Sequence, residues 1–310
     1  MNKQYQALAN KIKEYEYIVI FRRDNPDGNA YGSQLGLREI LKTNFPDKKV
    51  YASGTNSEFL NPMGRMDNFD PSVLPQALGI VVDCPTTEWI DGNGWEHVKE
   101  LVKIDNHPEK EQYGAIDIND QSISSTSELI ADIAFDLKWL VTPLAAQNLL
   151  IGALESMQDF WSAKFNKKTF LILAKLIELS PDVNEIVSRR TYSTQNENDV
   201  KKYLVNHIRT KDNLTYVYIP YHKLEKYQVE PNRAATFMWL LLTFSTTEFT
   251  AMFIEYPDKK IRAHICSKTR PVNLFAARYG GWGTEYSAGA FLESKKEIKP
   301  ILETLEQETF

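Results

Sequence analysis

The feature that most constrains the fold is a strand-like apolar run, Tyr17-Ile18-Val19-Ile20-Phe21. It leads almost directly into Arg23-Asp24-Asn25-Pro26-Asp27-Gly28-Asn29-Ala30-Tyr31-Gly32-Ser33. Beyond these turn-forming residues, Leu35, Leu37, Ile40 and Leu41 supply the inner face of a helix expected over about 30–43. Two later runs end in the same way. Gly79-Ile80-Val81-Val82 closes on Asp83, and Lys103-Ile104 closes on Asp105-Asn106-His107-Pro108. Three strand ends that carry Asp, Asn and His are where an α/β sheet builds a reaction centre.

The same alternation runs through the first part of the chain. An amphipathic helix is expected over 3–15, and strands over 16–22, 49–52, 79–83, 102–105 and 115–118. Ser124-Ser125-Thr126-Ser127-Glu128 has the form of a capping box and opens a helix with Leu129, Ile130, Ile133 and Ala134 inside. Strands alternating with helices predict an α/β domain with a Rossmann-like, mostly parallel sheet and helices on both faces. From 143 to about 180 the pattern is helical, until Pro181 and the polar stretch 192–199 break it. The expected organisation is an α/β domain over 1–190, a linker over 191–205 and a smaller α+β domain over 206–310. Strands of the second domain are expected at 215–219, 249–255 and 260–267.

Composition narrows the function classes. Hydrophobic residues make up 43% of the 310 and charged residues 25%, without low-complexity tracts, as in ordinary globular proteins. The longest apolar stretch, Phe237-Met238-Trp239-Leu240-Leu241-Leu242, is too short to span a bilayer. The first residues lack the apolar core of a secretory signal, and two cysteines, Cys84 and Cys266, make no disulfide framework. A cytoplasmic protein is therefore expected. The net charge of −5 is uneven, with 16 basic and 14 acidic residues from Thr191 onward against 20 and 27 before it. The second part can accept an anionic ligand locally but lacks the basic face of a non-specific nucleic-acid binder.

Asp27, Asn29, Asp83, Asn106 and His107 have the spacing of a two-ion phosphoesterase site, which needs a bridging carboxylate and several further O and N ligands. Here the chain resembles the DHH/DHHA1 phosphoesterase family, the group of nanoRNA and pAp phosphatases and RecJ-type nucleases. Residues 23–33 follow its first motif, with Pro26, Asp27, Gly28, Ala30, Gly32 and Ser33 in place. Val81-Val82-Asp83 follows the second motif, and Asp105-Asn106-His107-Pro108 the Asp-His-His motif. Residues 152–160 align with the fourth motif, and 281–289 with the C-terminal glycine-rich motif. The resemblance covers almost the whole chain and implies an N-terminal DHH domain and a C-terminal DHHA1 domain that binds substrate or nucleic acid.

The departures fall on the positions that matter chemically. By the resemblance, one ion would be held at Arg23, Asp27 and Asp83, and the other at Asn29, Asp83, Asn106 and Ser156. Asn and Ser offer neutral oxygens where the family has carboxylates, and Asn106 replaces an imidazole, which weakens the second site. Arg23 neither deprotonates nor coordinates, and its charge repels a cation. It is expected to pair with Asp27 or Asp83 and take over the ion's electrostatic role. Asp27 and Asp83 are then residual metal ligands or, more plainly, an ion pair or caps around Arg23. His107 is the candidate catalytic group or phosphate contact, set against a hydrogen-bonded loop histidine. Asp105 reads as a turn and helix-cap residue. Asp159, by a shift of register, or Glu155, by swinging in, are candidates to replace the ligand absent at Ser156.

In the second domain Cys266-Ser267 stands where the resemblance puts Arg-Ser for a substrate phosphate, followed by Lys268, and Thr284 stands in place of an imidazole. Gly280, Gly281 and Gly283 are expected to form a turn that presents N–H groups to an anion. Trp282 and Tyr286 either stack on a base or pack internally. The expected binding set is thus Arg23, Ser267, Lys268, Gly280, Gly281, Gly283 and Thr284, around an interdomain cleft. The leading expectation is a family member without two-ion hydrolysis that binds a nucleotide, a short oligonucleotide or a protein partner, with no cofactor. The rival is a single-ion or altered-ion phosphodiesterase of the oligoribonuclease and pAp phosphatase kind, using Mn or Mg. In it Asp27, Asp83 and His107 carry the chemistry and Arg23 clamps the phosphate. A third reading is a regulatory subunit, either a homodimer or the companion of an active paralogue.

Overall fold

The computed structural model describes residues 2–58, 60–157, 166–180 and 193–307. It divides into two compact units, Met1–Ser188 and Arg189–Phe310. The first unit holds strands β1 (Tyr17–Arg22), β2 (Lys49–Ala52), β3 (Leu78–Val82), β4 (Glu100–Asp105) and β5 (Ile116–Asn119). Its helices are α1 (Lys3–Glu14), α2 (Gly28–Asn44), α3 (Thr126–Asp136), α4 (Pro143–Ser156) and α5 (Lys167–Leu179). All five strands are parallel, in the order β2-β1-β3-β4-β5. The connections from β1 and β3 leave in opposite lateral directions, so a crevice opens where these two strands end. The register pairs Arg22 with Val82 and Val82 with Ile104, which brings Arg23, Asp83 and Asp105 side by side at one sheet edge.

Alternation along β1 sends Ile18 and Ile20 to one face and Val19 and Phe21 to the other. The first face joins the large core, where Leu8, Leu41, Ile80, Leu129, Leu149 and Leu173 bring in all five helices. Helices were also expected on the other face, but among the described residues no α-helix packs there. Val19, Phe21 and Val81 pack there against Leu74 and Ile90, on connections containing short 3-10 turns at Pro71–Gln76 and Thr87–Trp89. Proline and glycine in these connections, such as Asn61-Pro62-Met63-Gly64 and Asp70-Pro71, deny them a continuous helix.

Close approach of α2 and α4 positions the first turn of α2. A Cβ at Gly32 would run into the Asn148 carbonyl of α4, and one at Gly36 would lie 2.6 Å from Leu149. Gly28 lies under the Glu155 carboxylate, which therefore sits over the N-terminal turn of α2, where an acid is favoured.

The second unit contains a six-stranded sheet in which β7 (Leu214–Ile219) and β8 (Phe249–Glu255) are parallel and the other neighbours antiparallel. These neighbours are β6 (Arg209–Lys211), β9 (Ile261–Ser267), β10 (Trp282–Thr284) and β11 (Ser287–Leu292). One face packs on Phe275, Ile301 and Leu305, the other on Val200, Leu204, Phe237 and Leu241. The stretch expected as a linker is largely a helix, α6 (Gln195–Asn206). Thr194 and Glu197 form a reciprocal capping box, so the polar residues read as a break are a helix start. Among the described residues no helix is long and apolar enough to cross a membrane.

Gly32→Ala is expected to destabilise the first unit by about 1–3 kcal/mol through overpacking, seen as a fall in Tm of roughly 3–10 °C on thermal unfolding. An unchanged Tm would mean that α2 and α4 do not touch at this position.

Candidate active site

Asp83 follows β3 and is fully buried. Its backbone is left-handed, with φ 55, a conformation that Asp tolerates better than most residues. The Asp83 amide donates to the Ile104 carbonyl at 3.1 Å, which fixes the turn. A carboxylate in this position must be compensated. Asn29 Nδ2 donates to Oδ1 at 2.6 Å, Thr126 Oγ1 donates to the same oxygen at 2.9 Å, and Arg23 Nε donates to Oδ2 at 3.1 Å. Asn29 is itself held by the Ser127 amide, which donates to its Oδ1 at 3.0 Å. The first turns of α2 and α3 and the end of β1 therefore meet on one carboxylate.

Arg23 makes both of its expected pairings at once. Its Nη2 lies 2.6 Å from Asp27 Oδ2 while Nε holds Asp83, and the residue is 7% exposed. Asp27 also caps α2 by accepting from the Ala30 amide at 3.1 Å. Burial works against the guanidinium charge, but Asp27 and Asp83 outweigh it and raise the pKa above the ordinary arginine value. The neighbouring Arg22 is fully buried and pairs with Asp91 at 2.6 Å, tying the end of β1 to the loops that follow β2 and β3.

His107 and Asp105 form a second pair, with Nδ1 2.7 Å from Oδ1. Burial opposes the imidazolium, but the charge and hydrogen bond of Asp105, helped by Asp83, raise its pKa to about 9. Burial also works against the Asp105 carboxylate, yet the His107 charge and hydrogen bond bring its pKa below the ordinary value. For Asp83, burial prevails over Arg23 and His107 and raises the carboxyl to about 6. Asp105 is a turn residue, as expected, since its carboxylate also accepts from the His107 backbone amide, but it is not a helix cap: it is fully buried and orients His107, while the cap of α3 is Ser125. Its other oxygen, Oδ2, is buried without a hydrogen-bond partner among the described residues. Asn106 Nδ2 donates to the Ile123 carbonyl at 3.2 Å, and its Oδ1 lies 2.9 Å from the Thr126 hydroxyl, which shares its one proton between Asn106 and Asp83.

The donor set decides which metal arrangement fits. Among the described residues, one acidic and imidazole group converges closely enough for an ion, with ligand atoms of Asp83, Asp105 and His107 within 4.8 Å of one another. Two carboxylates, one of them with an unsatisfied buried oxygen, and one imidazole suit a single divalent ion. Among the described residues the donors for a second ion are reduced: Arg23 lies between Asp27 and Asp83, the Asn106 amide is engaged, and Ser156 is neutral. Sequence reasoning missed Asp105 as a member of this group and Thr126 as its tie to α3. The Asp-x-His spacing at a strand end was the available signal. Asp159 lies outside the described residues.

The residues expected to bind an anion in the second unit are engaged within it. Ser267 Oγ, the amides of Thr269 and Arg270 and the Thr269 hydroxyl all donate to Glu248 Oε1, at 2.7–3.1 Å. Lys268 beside them is exposed. The Gly280 and Gly281 amides donate to the Ala277 and Ala276 carbonyls, ending a short helix (Asn273–Ala277), while Gly283 and Thr284 pair with Ala288 and Ser287 in the sheet. The glycines thus terminate a helix and admit a tight strand pairing where an anion cradle was expected.

The His107 imidazolium stabilises the fold fully below its ordinary value of roughly 6.5, and this contribution is lost as pH rises through about 9. A ring titration by NMR is expected to give a midpoint near 9 in the parent protein. Asp105→Asn is expected to lower it by about two units towards the ordinary value. An unchanged midpoint would show that the pair does not form.

Comparison with known proteins finds similar sequences and folds. Residues 17–153 match the DHH family, N-terminal domain. The chain is 28% identical over 302 residues, 97% of each chain, to the probable bifunctional oligoribonuclease and PAP phosphatase NrnA of Streptococcus mutans. It is 29% identical over 303 residues, 96% of each chain, to the bifunctional oligoribonuclease and PAP phosphatase NrnA of Bacillus subtilis. An uncharacterized protein of Mycoplasma genitalium, MG371, is 24% identical over 307 residues, 96% of this chain and 94% of that one. Among solved structures, an exopolyphosphatase-related protein from Bacteroides fragilis shares the fold at a TM-score of 0.83 and 20% identity, over 99% and 98% of the two chains. Among the described residues, those that bond the Asp83 carboxylate all lie in the matched segment, together with Asp105 and His107, so the similarity to the DHH family covers the whole candidate site.

Proposed function

We propose that this protein is a phosphoesterase acting on short oligonucleotides or 3′-phosphorylated nucleotides such as pAp, through an altered centre in place of a two-ion one. The observation that carries the reading is the convergence of Asp83, Asp105 and His107 at the ends of β3 and β4, with a buried Asp105 oxygen unsatisfied. The substrate class comes from the printed activities of relatives that span almost the whole chain. Asp83, Asp105 and His107 are the residues that would hold one divalent ion, and such an ion supplies Lewis acidity at a phosphoryl oxygen. Holding it requires His107 to give up its proton, so affinity rises with pH. Arg23 adds a permanent positive charge beside the anionic ester and keeps Asp83 oriented, while Asp105 fixes the His107 ring.

A second reading, binding without hydrolysis, is favoured by a different observation. Both Asp83 oxygens are already engaged, by Arg23, Asn29 and Thr126, as in a site closed by its own side chains. Hydrolysis assays on pAp and on di- to pentaribonucleotides with Mn or Mg separate the two. The first reading expects turnover that falls about a hundredfold or more in Asp83→Asn and Asp105→Asn. Oligonucleotide binding without turnover by the parent protein would sink it and leave the second.

A further inference from the structure

We infer that Arg23 is a built-in counter-ion that permanently closes the Asp27–Asp83 carboxylate pair to divalent ions, so that this half of the site keeps its shape without metal. The inference deepens the altered-centre reading and rests on its assignment of the site, but it does not require hydrolysis. Asp27 and Asp83 are 56 positions apart in the sequence, yet one guanidinium bonds both, at 2.6 and 3.1 Å. Its Nη1 donates to the Asn25 carbonyl at 2.7 Å, with a longer 3.4 Å contact to the Asp24 carbonyl. Four of its five N–H groups are therefore used, and the planar fork is held in one orientation.

The backbone is clamped as firmly as the side chain. Arg23 forms an isolated bridge with Ile90, the Asp24 amide donates to the Trp89 carbonyl at 2.7 Å, and the Asp91 amide donates to the Arg22 carbonyl at 2.8 Å. The fully buried Arg22 guanidinium donates to the Arg23 carbonyl at 3.0 Å while pairing with Asp91. With the backbone fixed, swinging the Arg23 side chain out would break its bonds to Asp27, Asp83 and Asn25 and leave Asp83 buried beside a partly exposed Asp27. Asp27 also stands outside the group of side chains that converges on a possible ion. The carboxylate pair is thus filled by a side chain that cannot dissociate, and the remaining donors can serve one ion at most.

Calorimetric titration of the full-length protein with Mn tests this, using the parent, Asp27→Asn and Arg23→His, which puts a neutral nitrogen donor where the cation stood. The parent is expected to bind no more than one Mn, with an isotherm unchanged by Asp27→Asn. Arg23→His is expected to gain one Mn and a Mn-dependent rise in Tm of about 5 °C or more at saturating metal. A parent that binds two Mn, an isotherm lost in Asp27→Asn, or an Arg23→His protein that folds and gains no Mn would each overturn the inference. A parent that binds none would defeat the single-ion reading and leave this inference standing. Should Arg23→His fail to fold in chelator, refolding with millimolar Mn decides: recovery supports the inference, and failure under both conditions overturns it.

Discussion

The burial of one carboxylate, that of Asp83, is the constraint on which the rest of the site depends. A lone ionised group in that position is costly, and removing one partner of such a buried pair typically costs about 3–5 kcal/mol. The fold meets the demand with groups from three places in the sequence: Arg23 after β1, Asn29 in the first turn of α2 and Thr126 at the start of α3. Each of these is fixed in turn by something further out. Asn29 is held by the Ser127 amide and by the glycine-mediated approach of α2 to α4, Arg23 by Asp27 and the loops around Asp91. Compensation of a single charge thus organises the crevice where β1 and β3 part.

A guanidinium and a metal ion solve the same electrostatic problem with different chemistry. Both neutralise neighbouring carboxylates, but the guanidinium cannot exchange, bind water as a ligand or act as a Lewis acid. It also changes what its neighbours can do. With Arg23 engaged by Asp27 and Asp83, the acid–imidazole convergence lies one strand further along, on Asp83, Asp105 and His107. The second unit shows a parallel economy of donors. A turn that would suit an anion is occupied by the Glu248 carboxylate, whose pKa the Thr269 and Arg270 amides and the Ser267 and Thr269 hydroxyls lower despite burial.

Much of this was legible in the residues themselves. Apolar runs leading into polar groups marked β1, β3 and β4 as strands whose ends form a site: Arg23 and Asp27 follow β1, Asp83 follows β3 and Asp105 closes β4. The polar stretch before α6 was misread for a local reason. Thr194 and Glu197 look like a break until the hydrogen bonds that start a helix are seen. The helices of the first unit were expected on both faces because alternation alone does not say which side a connection takes.

The sequence by itself determined the strand–turn–helix frame and the identity of the groups at the strand ends. These follow from residue type and spacing, which no packing can alter. Only the tertiary structure decided which groups answer one another. That Arg23 bonds Asp27 and Asp83 together, that Asp105 serves His107 and not a helix, and that the glycines near 281 end a helix are all outcomes of register and burial. Spacing names the groups that can meet, and the desolvation of a buried charge selects the ones that must.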